Sequence, residues 1–294
     1  MWKRIIQLLG VFMMTVSTTG PARAENVPFH EFLMGDVNVR VISLVQKDLS
    51  AAILRPATDA QKAEIARIYP DGAVHNVLNV LLLRGNGVVA LVDTGYDWTV
   101  GALESALHEA GIGPKDVTHV IITHAHGDHV GGLVRDGRAV FPSAAVLFSE
   151  RELAAWSDAG AAKTASEGMR RMFESVAGIG SVYGDRVRTF VPGEDLFPEL
   201  PGVQAVDEAG HTPGHVGIMM QSGGDAFLFW SDLLHAFDAQ EAMPSVSASF
   251  DMDPDAAARV REDTLKRARD GGWLVVGSHV PFTQPRVLTQ DVTR

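Results

Sequence analysis

The chain contains no cysteine among its 294 residues. Disulfides, zinc fingers and iron–sulfur clusters are therefore excluded, and no thiol is available for a lipoprotein anchor. Any metal site must be built from nitrogen and oxygen donors. Basic charge is also scarce: 25 Lys and Arg stand against 36 Asp and Glu, a formal net charge of −11. An acidic surface of this kind disfavours nucleic acid and anionic lipid as partners. Fixed-period repeats and low-complexity tracts are missing, which argues against a solenoid. The run Ile5 to Val16 aside, no apolar stretch approaches the length of a membrane span.

What is present begins with a basic start, Met1-Trp2-Lys3-Arg4, then that apolar run, then Ala22-Arg23-Ala24. This order reads as a secretory signal peptide over 1–24, so the mature protein is expected to be exported, periplasmic or secreted. Its removal takes away Lys3, Arg4 and Arg23 and no acid, which leaves a formal charge of −14, three below that of the whole chain. Residues 25–294 suit a single catalytic domain.

Along that domain, strand-like runs alternate with helical ones. Val37–Val41 alternates with period two. Thr58-Asp59-Ala60-Gln61 is a capping box opening a helix through Ile68. Val77–Leu83, the turn Arg84-Gly85-Asn86-Gly87, and Val88–Val92 form a hairpin. Helices are expected over Thr99–Ala110, Glu150–Ala159, Lys163–Val176 and Pro254–Asp270, the last capped by Asp253 and ended by Gly271-Gly272. Further strands fall at His119–Thr123, Ala144–Phe148, Val187–Val191, Gly202–Val206, Val216–Gln221, Ala226–Trp230 and Trp273–Val276. Strand-rich halves accompanied by helices imply an α/β fold, two sheets face to face with helices outside.

One short stretch carries unusual chemistry. Thr123 to Gly132 reads THAHGDHVGG, which crowds His124, His126, Asp128 and His129 into six positions. In extended chain His124, His126 and Asp128 share a parity and His129 has the other. The segment can thus serve two adjacent metals, one through His124 and His126, the other through Asp128 and His129. Its glycines are expected to let the chain turn tightly beneath these ligands. Downstream, Glu208-Ala209-Gly210-His211-Thr212-Pro213-Gly214-His215 supplies a histidine in a Gly/Pro-rich loop. Phe229-Trp230-Ser231-Asp232 ends a strand on a carboxylate, and Gly277-Ser278-His279 ends another on a histidine. Metal-preferring residues recur where strands stop, the edge on which α/β folds place their sites.

This set resembles the metallo-β-lactamase-fold hydrolase superfamily, from about Asn79 to Phe282. The resemblance implies a four-layer αβ/βα sandwich with a dinuclear site at one edge. It implies one divalent ion on His124, His126 and His211, a second on Asp128, His129 and His279, and Asp232 bridging both, with Asp128 and Asp232 also counted as catalytic. Zinc is the expected metal, with manganese, iron or cobalt compatible with the same donors. Seven ligands over two metals leave open positions, which marks a catalytic site rather than an exported metal-binding protein. Asp93, at the end of Val92-Asp93-Thr94-Gly95, is expected to support ligands from behind, and His215 to be a supporting residue rather than a ligand. His30, His75, His108 and His119 have no partner pattern and read as surface or satisfied core.

The substrate is decided elsewhere. Metallo-β-lactamases proper typically carry a cysteine or serine where Asp232 stands, so β-lactamase activity is disfavoured. Export disfavours the cytosolic thioester and RNA-processing branches. The segments around Trp230–His235, Phe250–Asp253 and Gly272–Phe282 resemble the branch of methyl parathion hydrolase and exported lactonases. That likeness implies a metal-bridging hydroxide opening neutral lactones or related small esters, with phosphotriester hydrolysis as an accompanying or alternative activity, and is compatible with a homodimer. Trp98, Trp156, His235 and Phe282 are the expected pocket residues. His235 departs from the best-known lactonases, which carry a tyrosine nearby.

Overall fold

Among the described residues two large sheets, with two short strand pairs beside them, form the frame, and the candidate donor residues fall where strands of the large sheets stop. The computed structural model describes residues 27–289; the signal peptide expected over 1–24 lies outside them. Among the described residues the larger sheet has seven strands, in the order Phe29–Met34, Val37–Ser50, Ala73–Gly85, Val88–Val92, His119–Ile122, Ala145–Ser149 and Val187–Phe190. The first four pair antiparallel and the last four parallel. The smaller sheet runs Val203–Asp207, Val216–Ser222, Asp225–Phe229, Leu274–Val276 and Arg286–Val287. Asp225–Phe229 and Leu274–Val276 are parallel, so both deliver the chain to the same edge.

Alternation along the strands divides the core. Val39, Val41, Leu81 and Leu83 of the larger sheet bury themselves with Ala205, Ile218, Phe227 and Phe229 of the smaller one. The opposite set, Ile42, Val80, Leu82 and Leu91, packs on Val100, Leu103 and Leu107 of the helix Val100–Glu109, in a cluster that also holds Phe173, Val176 and Ile179 of the helix Glu167–Tyr183. The helix Pro254–Gly271 adds Leu265 and Ala268 to the core of the smaller sheet. Each such fully buried side chain contributes roughly 1.5–3 kcal/mol. The layered α/β sandwich follows.

Three local readings need correction. The strand Val37–Val41 extends to Ser50, and a bulge leaves Leu44 without a partner between the pairs Ser43–Asn79 and Val45–Leu78. A bulge bends and twists its strand, and the outer half of the pair reaches over the site edge. The helices expected at Glu150–Ala159 and Lys163–Val176 are three: Glu150–Ser157, Ala159–Thr164 and Glu167–Tyr183. Asp158 accepts from Gly160 and Ala161 amides, and Ser166 from Met169, so each acts as a new N-cap and breaks the run. The glycines of the histidine motif do not serve a left-handed turn. Gly131 and Gly132 make room: a Cβ on them would lie 2.7 Å from the Asp97 amide and 2.3 Å from the Thr94 carbonyl, respectively. They let the segment after Val92 lie directly against the histidine helix.

Glu208, just past Val203–Asp207, is 1% exposed, and neither carboxylate oxygen has a partner. Burial and the neighbouring Asp207 push its carboxyl well above the usual range, against a smaller opposing pull from Arg267. The folded protein therefore holds a proton here that the unfolded chain releases above about pH 4.5, so stability falls as pH rises through that point. Glu208→Gln, neutral at every pH, is expected to melt higher than wild type near neutral pH, the gap closing towards acid. Parallel melting curves at all pH values would contradict a protonated Glu208.

Candidate metal centre

The strand His119–Ile122 ends on Thr123-His124, then the chain turns through Ala125-His126 into the short helix Gly127–Val130, which carries Asp128 and His129. The strand Val203–Asp207 leads to His211, Asp225–Phe229 to Asp232, and Leu274–Val276 to His279. Fixed backbone aims these groups at one another. Ser231 takes a positive φ of 45° and turns Asp232 inwards, and Asp93 likewise has φ 63°. Such conformations cost of order 1–3 kcal/mol each and persist only where the surroundings impose them.

Four overlapping groups of candidate donors result among the described residues: two hold the seven expected ligands, and two bring in His235, with His211 and Asp251 and with Asp232 and His279. The ligand atoms of His124, His126, His211 and Asp232 lie within 4.8 Å of one another, and so do those of Asp128, His129 and His279. In the first, His126 Nδ1 is 2.9 Å from both His124 Nε2 and His211 Nε2. Asp232 Oδ2 is 3.4 Å from His211 Nε2 and 3.6 Å from His124 Nε2. In the second, Asp128 Oδ2 is 3.3 Å from His279 Nε2 and 3.7 Å from His129 Nε2. Asp232 reaches this set as well, Oδ1 at 3.2 Å from His129 Nε2 and Oδ2 at 3.2 Å from His279 Nε2.

These spacings fit a metal. Tetrahedral ligands at 2.0–2.1 Å from a zinc-like ion stand about 3.3 Å apart. His129 Nε2 and Asp232 Oδ1 are buried and have no hydrogen-bond partner, a cost that a shared cation removes. Burial drives His124 and His211 well below the ordinary imidazole range and His126 down to about 4. Neutral rings with free lone pairs are the ligating form. Burial also opposes charge on His129 and His279, but Asp232 with Asp93 and Asp128 overcomes it at the first, and Asp232 with Asp128 at the second. His279 rises to about 10. That half of the site therefore draws positive charge.

Three of the rings are held from behind. Asp93 Oδ2 accepts from His129 Nδ1 at 2.8 Å and from Thr123 Oγ1 at 2.8 Å. Asp251 Oδ1 accepts from His211 Nδ1 at 3.0 Å, and the Val77 carbonyl from His279 Nδ1 at 2.9 Å. His215 stays outside the donor sets: its Nδ1 donates to the Glu208 carbonyl at 3.0 Å and its Nε2 accepts from the Asp232 amide at 3.2 Å. It orients the backbone of Asp232.

Over this floor opens a cavity of about 620 Å³, lined by Val45, Leu49, Tyr96, Trp98, Met172 and Phe250 among others. Trp98 is 66% exposed and stacks on Tyr96 with centroids 5.2 Å apart. His235 lines the cavity, and its Nε2 is 3.2 Å from Asp232 Oδ2. The other two expected pocket aromatics are elsewhere. Trp156 is 2% exposed, edge-on to Phe173 in the helix-side core. Phe282 is buried against Phe237, and its carbonyl accepts from Asn79 Nδ2. Aromatic identity alone does not say which face of its element a ring takes. Of the histidines without a motif, His75 pairs with Asp48 and His119 lies against Phe197 with the ring planes tilted by 60°.

Several contributors escaped sequence reading because no spacing announces them. Glu152 is fully buried; its Oε1 accepts from the Ala125 amide at 2.9 Å and the Trp156 indole at 2.7 Å. Its Oε2 accepts from Thr212 Oγ1 and the Gly214 amide, both at 2.8 Å. One carboxylate thus clamps the His124–His126 turn to the His211 loop. Arg261, 1% exposed, donates to Asp251 Oδ2 and to the Leu233, Pro244 and Val246 carbonyls. Asn76 Nδ2 donates to the His235 and His279 carbonyls. Tyr96 stands near Asp128 and Asp232; burial and these two carboxylates push its phenol to about 12.

Comparison with known proteins places this geometry. The family model of the metallo-beta-lactamase superfamily matches residues 76–279. The chain belongs to the metallo-beta-lactamase superfamily. The match runs from Asn76 to His279, a span that includes every expected metal ligand. Among curated relatives, metallo-beta-lactamase domain-containing protein 1 of Mus musculus is 51% identical over 59 residues, 20% of this chain and 21% of that protein. The human protein of that name is 49% identical over 59 residues, 20% of each chain. The chain thus spans about a fifth of the length of these relatives. Among solved structures of the superfamily's fold, AidC, a dizinc quorum-quenching lactonase in complex with the product N-hexanoyl-L-homoserine, superposes with a TM-score of 0.79. Identity to it is 22%, over 92% of this chain and 96% of that one. The hydrolase AbOPH of the beta lactamase superfamily gives a TM-score of 0.77 at 24% identity, covering 90% and 94%. At these identities the likeness is one of fold.

The clamp is testable. Glu152→Gln preserves shape but replaces an oxygen that accepts two hydrogen bonds with an NH₂ that accepts none. Metal affinity should weaken about 10- to 100-fold, with a melting temperature several degrees lower; unchanged values of both would refute the clamp.

Proposed function

We propose that the protein is an exported dinuclear-metal hydrolase of neutral lactones or related small esters, within the branch that resembles methyl parathion hydrolase and exported lactonases. The observation that supports this most directly is the pairing of two donor sets sharing Asp232 with a largely apolar cavity above them. His124, His126 and His211 would hold one divalent ion, Asp128, His129 and His279 the other, zinc being the metal these donors suit best. Bound there, two cations acidify water and polarise the scissile bond.

The chain's own residues do the remainder. Val45, Leu49, Met172 and Phe250 offer apolar surface to an acyl group and exclude water from it. Trp98, exposed at the mouth, gives a flat face to a ring or chain. Asp93, Asp251 and the Val77 carbonyl fix ring orientation, so little reorganisation is needed on reaction. His235 faces substrate rather than metal. Its Nδ1 is buried without a partner, whereas His129, His211 and His279 each donate from Nδ1 to a named acceptor.

Metal-loaded protein should open a lactone or an aryl ester faster than it cleaves an organophosphate triester or a β-lactam. Preference for the triester would replace the lactonase reading with a phosphotriesterase, and inactivity on the whole panel would remove both. Asp232→Asn should cut turnover by orders of magnitude and lower the metal content below two per chain. His235→Leu should change relative rates across the panel and leave metal content at wild type; loss of metal would make His235 a ligand.

A further inference from the structure

A donor besides the cations can stabilise the charge that develops on the substrate oxygen during attack, and several polar side chains around the cavity are already engaged. Asn76 is spent on the His235 and His279 carbonyls. Arg171 sits on the outer helix beside Glu167, 3.5 Å away. His235 turns its Nε2 to Asp232. Tyr96 differs in what it bonds: its O–H stands on the cavity wall that also carries His126, Gly127 and Asp128, and its hydrogen-bond partner is the Asp128 carboxylate, which a cation on the second donor set would also claim.

Its position is imposed rather than adjustable. Gly95 before it has φ 74°, and a Cβ there would lie 2.3 Å from Thr99 Oγ1 and 2.7 Å from the Leu44 side chain. The Tyr96 carbonyl accepts from the Thr99 amide at 3.1 Å and from Thr99 Oγ1 at 2.8 Å. A Cβ on Gly131 would come within 2.9 Å of the Tyr96 carbonyl carbon, so the tyrosine backbone lies directly on the turn after Asp128 and His129. Thr94, two residues earlier, is tied to the His129 carbonyl through both its amide and its hydroxyl. Trp98 backs the ring in a near-parallel stack, the planes 14° apart. The phenol and the second donor set are thus parts of one rigid piece, the arrangement that electrostatic preorganisation requires.

We propose that Tyr96 is a catalytic residue whose hydroxyl donates a hydrogen bond to the substrate oxygen that becomes negative as the acyl centre is attacked. This rests on the hydrolase reading above, but it concerns an oxyanion and not a particular ester. The test is Tyr96→Phe, which keeps the ring and its stack on Trp98. On whichever ester the wild type turns over, kcat should fall about 100-fold, with KM changed by less than about threefold and metal content the same. A second arm does not need turnover: calorimetric titration of the metal-loaded proteins with inorganic phosphate, a tetrahedral oxyanion. The variant should bind it about tenfold more weakly. If the wild type hydrolyses nothing on the panel, the substrate reading fails while the phosphate arm still decides the donor. Equal phosphate affinity in the two proteins, absence of phosphate binding by the wild type, or loss of metal from the variant each overturns the proposal.

Discussion

Asp232 is the constraint around which the remainder is arranged. A carboxylate 2% exposed stands within 3.6 Å of imidazole nitrogens from His124, His129, His211, His235 and His279. Removing such a group from water costs several kcal/mol unless charge and hydrogen bonds compensate. Here the compensation comes from segments far apart in the chain, so the carboxylate can exist only when both sheets are assembled. Its backbone is held in turn, the amide by His215 Nε2 and the preceding residue by a strained φ.

The same logic explains the polar bolts between the layers. Thr123, at the end of a larger-sheet strand, reaches Ser231 Oγ at 2.8 Å, and Ser231 accepts from the Ser278 amide at 3.0 Å through its carbonyl. Asn79 donates to the Gly277, Val280 and Phe282 carbonyls. Glu152 and Arg261 complete the frame from the helical side. Three strand ends and two loops are thereby fixed within hydrogen-bond tolerance, the precision a site of several ligands demands. Gly277 allows this approach, for a Cβ there would meet the Trp230 indole nitrogen at 2.1 Å.

The wall above the floor is built differently. It comes from a bulged strand pair, a long helix, the segment of Tyr96 and Trp98 and the loop around Phe250, which meet only over the site edge. The bulge after Ser43 and the N-caps at Asp158 and Ser166 decide where those pieces go. Each is a matter of one residue's hydrogen bond, too local to show in a hydrophobic period. Trp156 illustrates the consequence: on the same helix as Glu152 and one turn later, it faces the clamp and core instead of the cavity.

By itself the sequence determined the strand runs, the layered α/β class and the donor residues, because strand alternation and clustered histidines are properties of near neighbours. It also marked Asp93 and His215 through adjacent motif residues. Glu152, Asp251, Arg261, Asn76 and Tyr96 carry no comparable spacing. Their roles arise from contacts between segments up to about two hundred residues apart, which only the packed sheets create. The tertiary structure alone decided that Trp98 and not Trp156 lines the cavity, that Gly131 and Gly132 admit a neighbouring backbone, and that His235 leans on the bridging carboxylate. A side chain's type is written in the chain, but what it faces is set by burial and close packing of elements that meet only on folding.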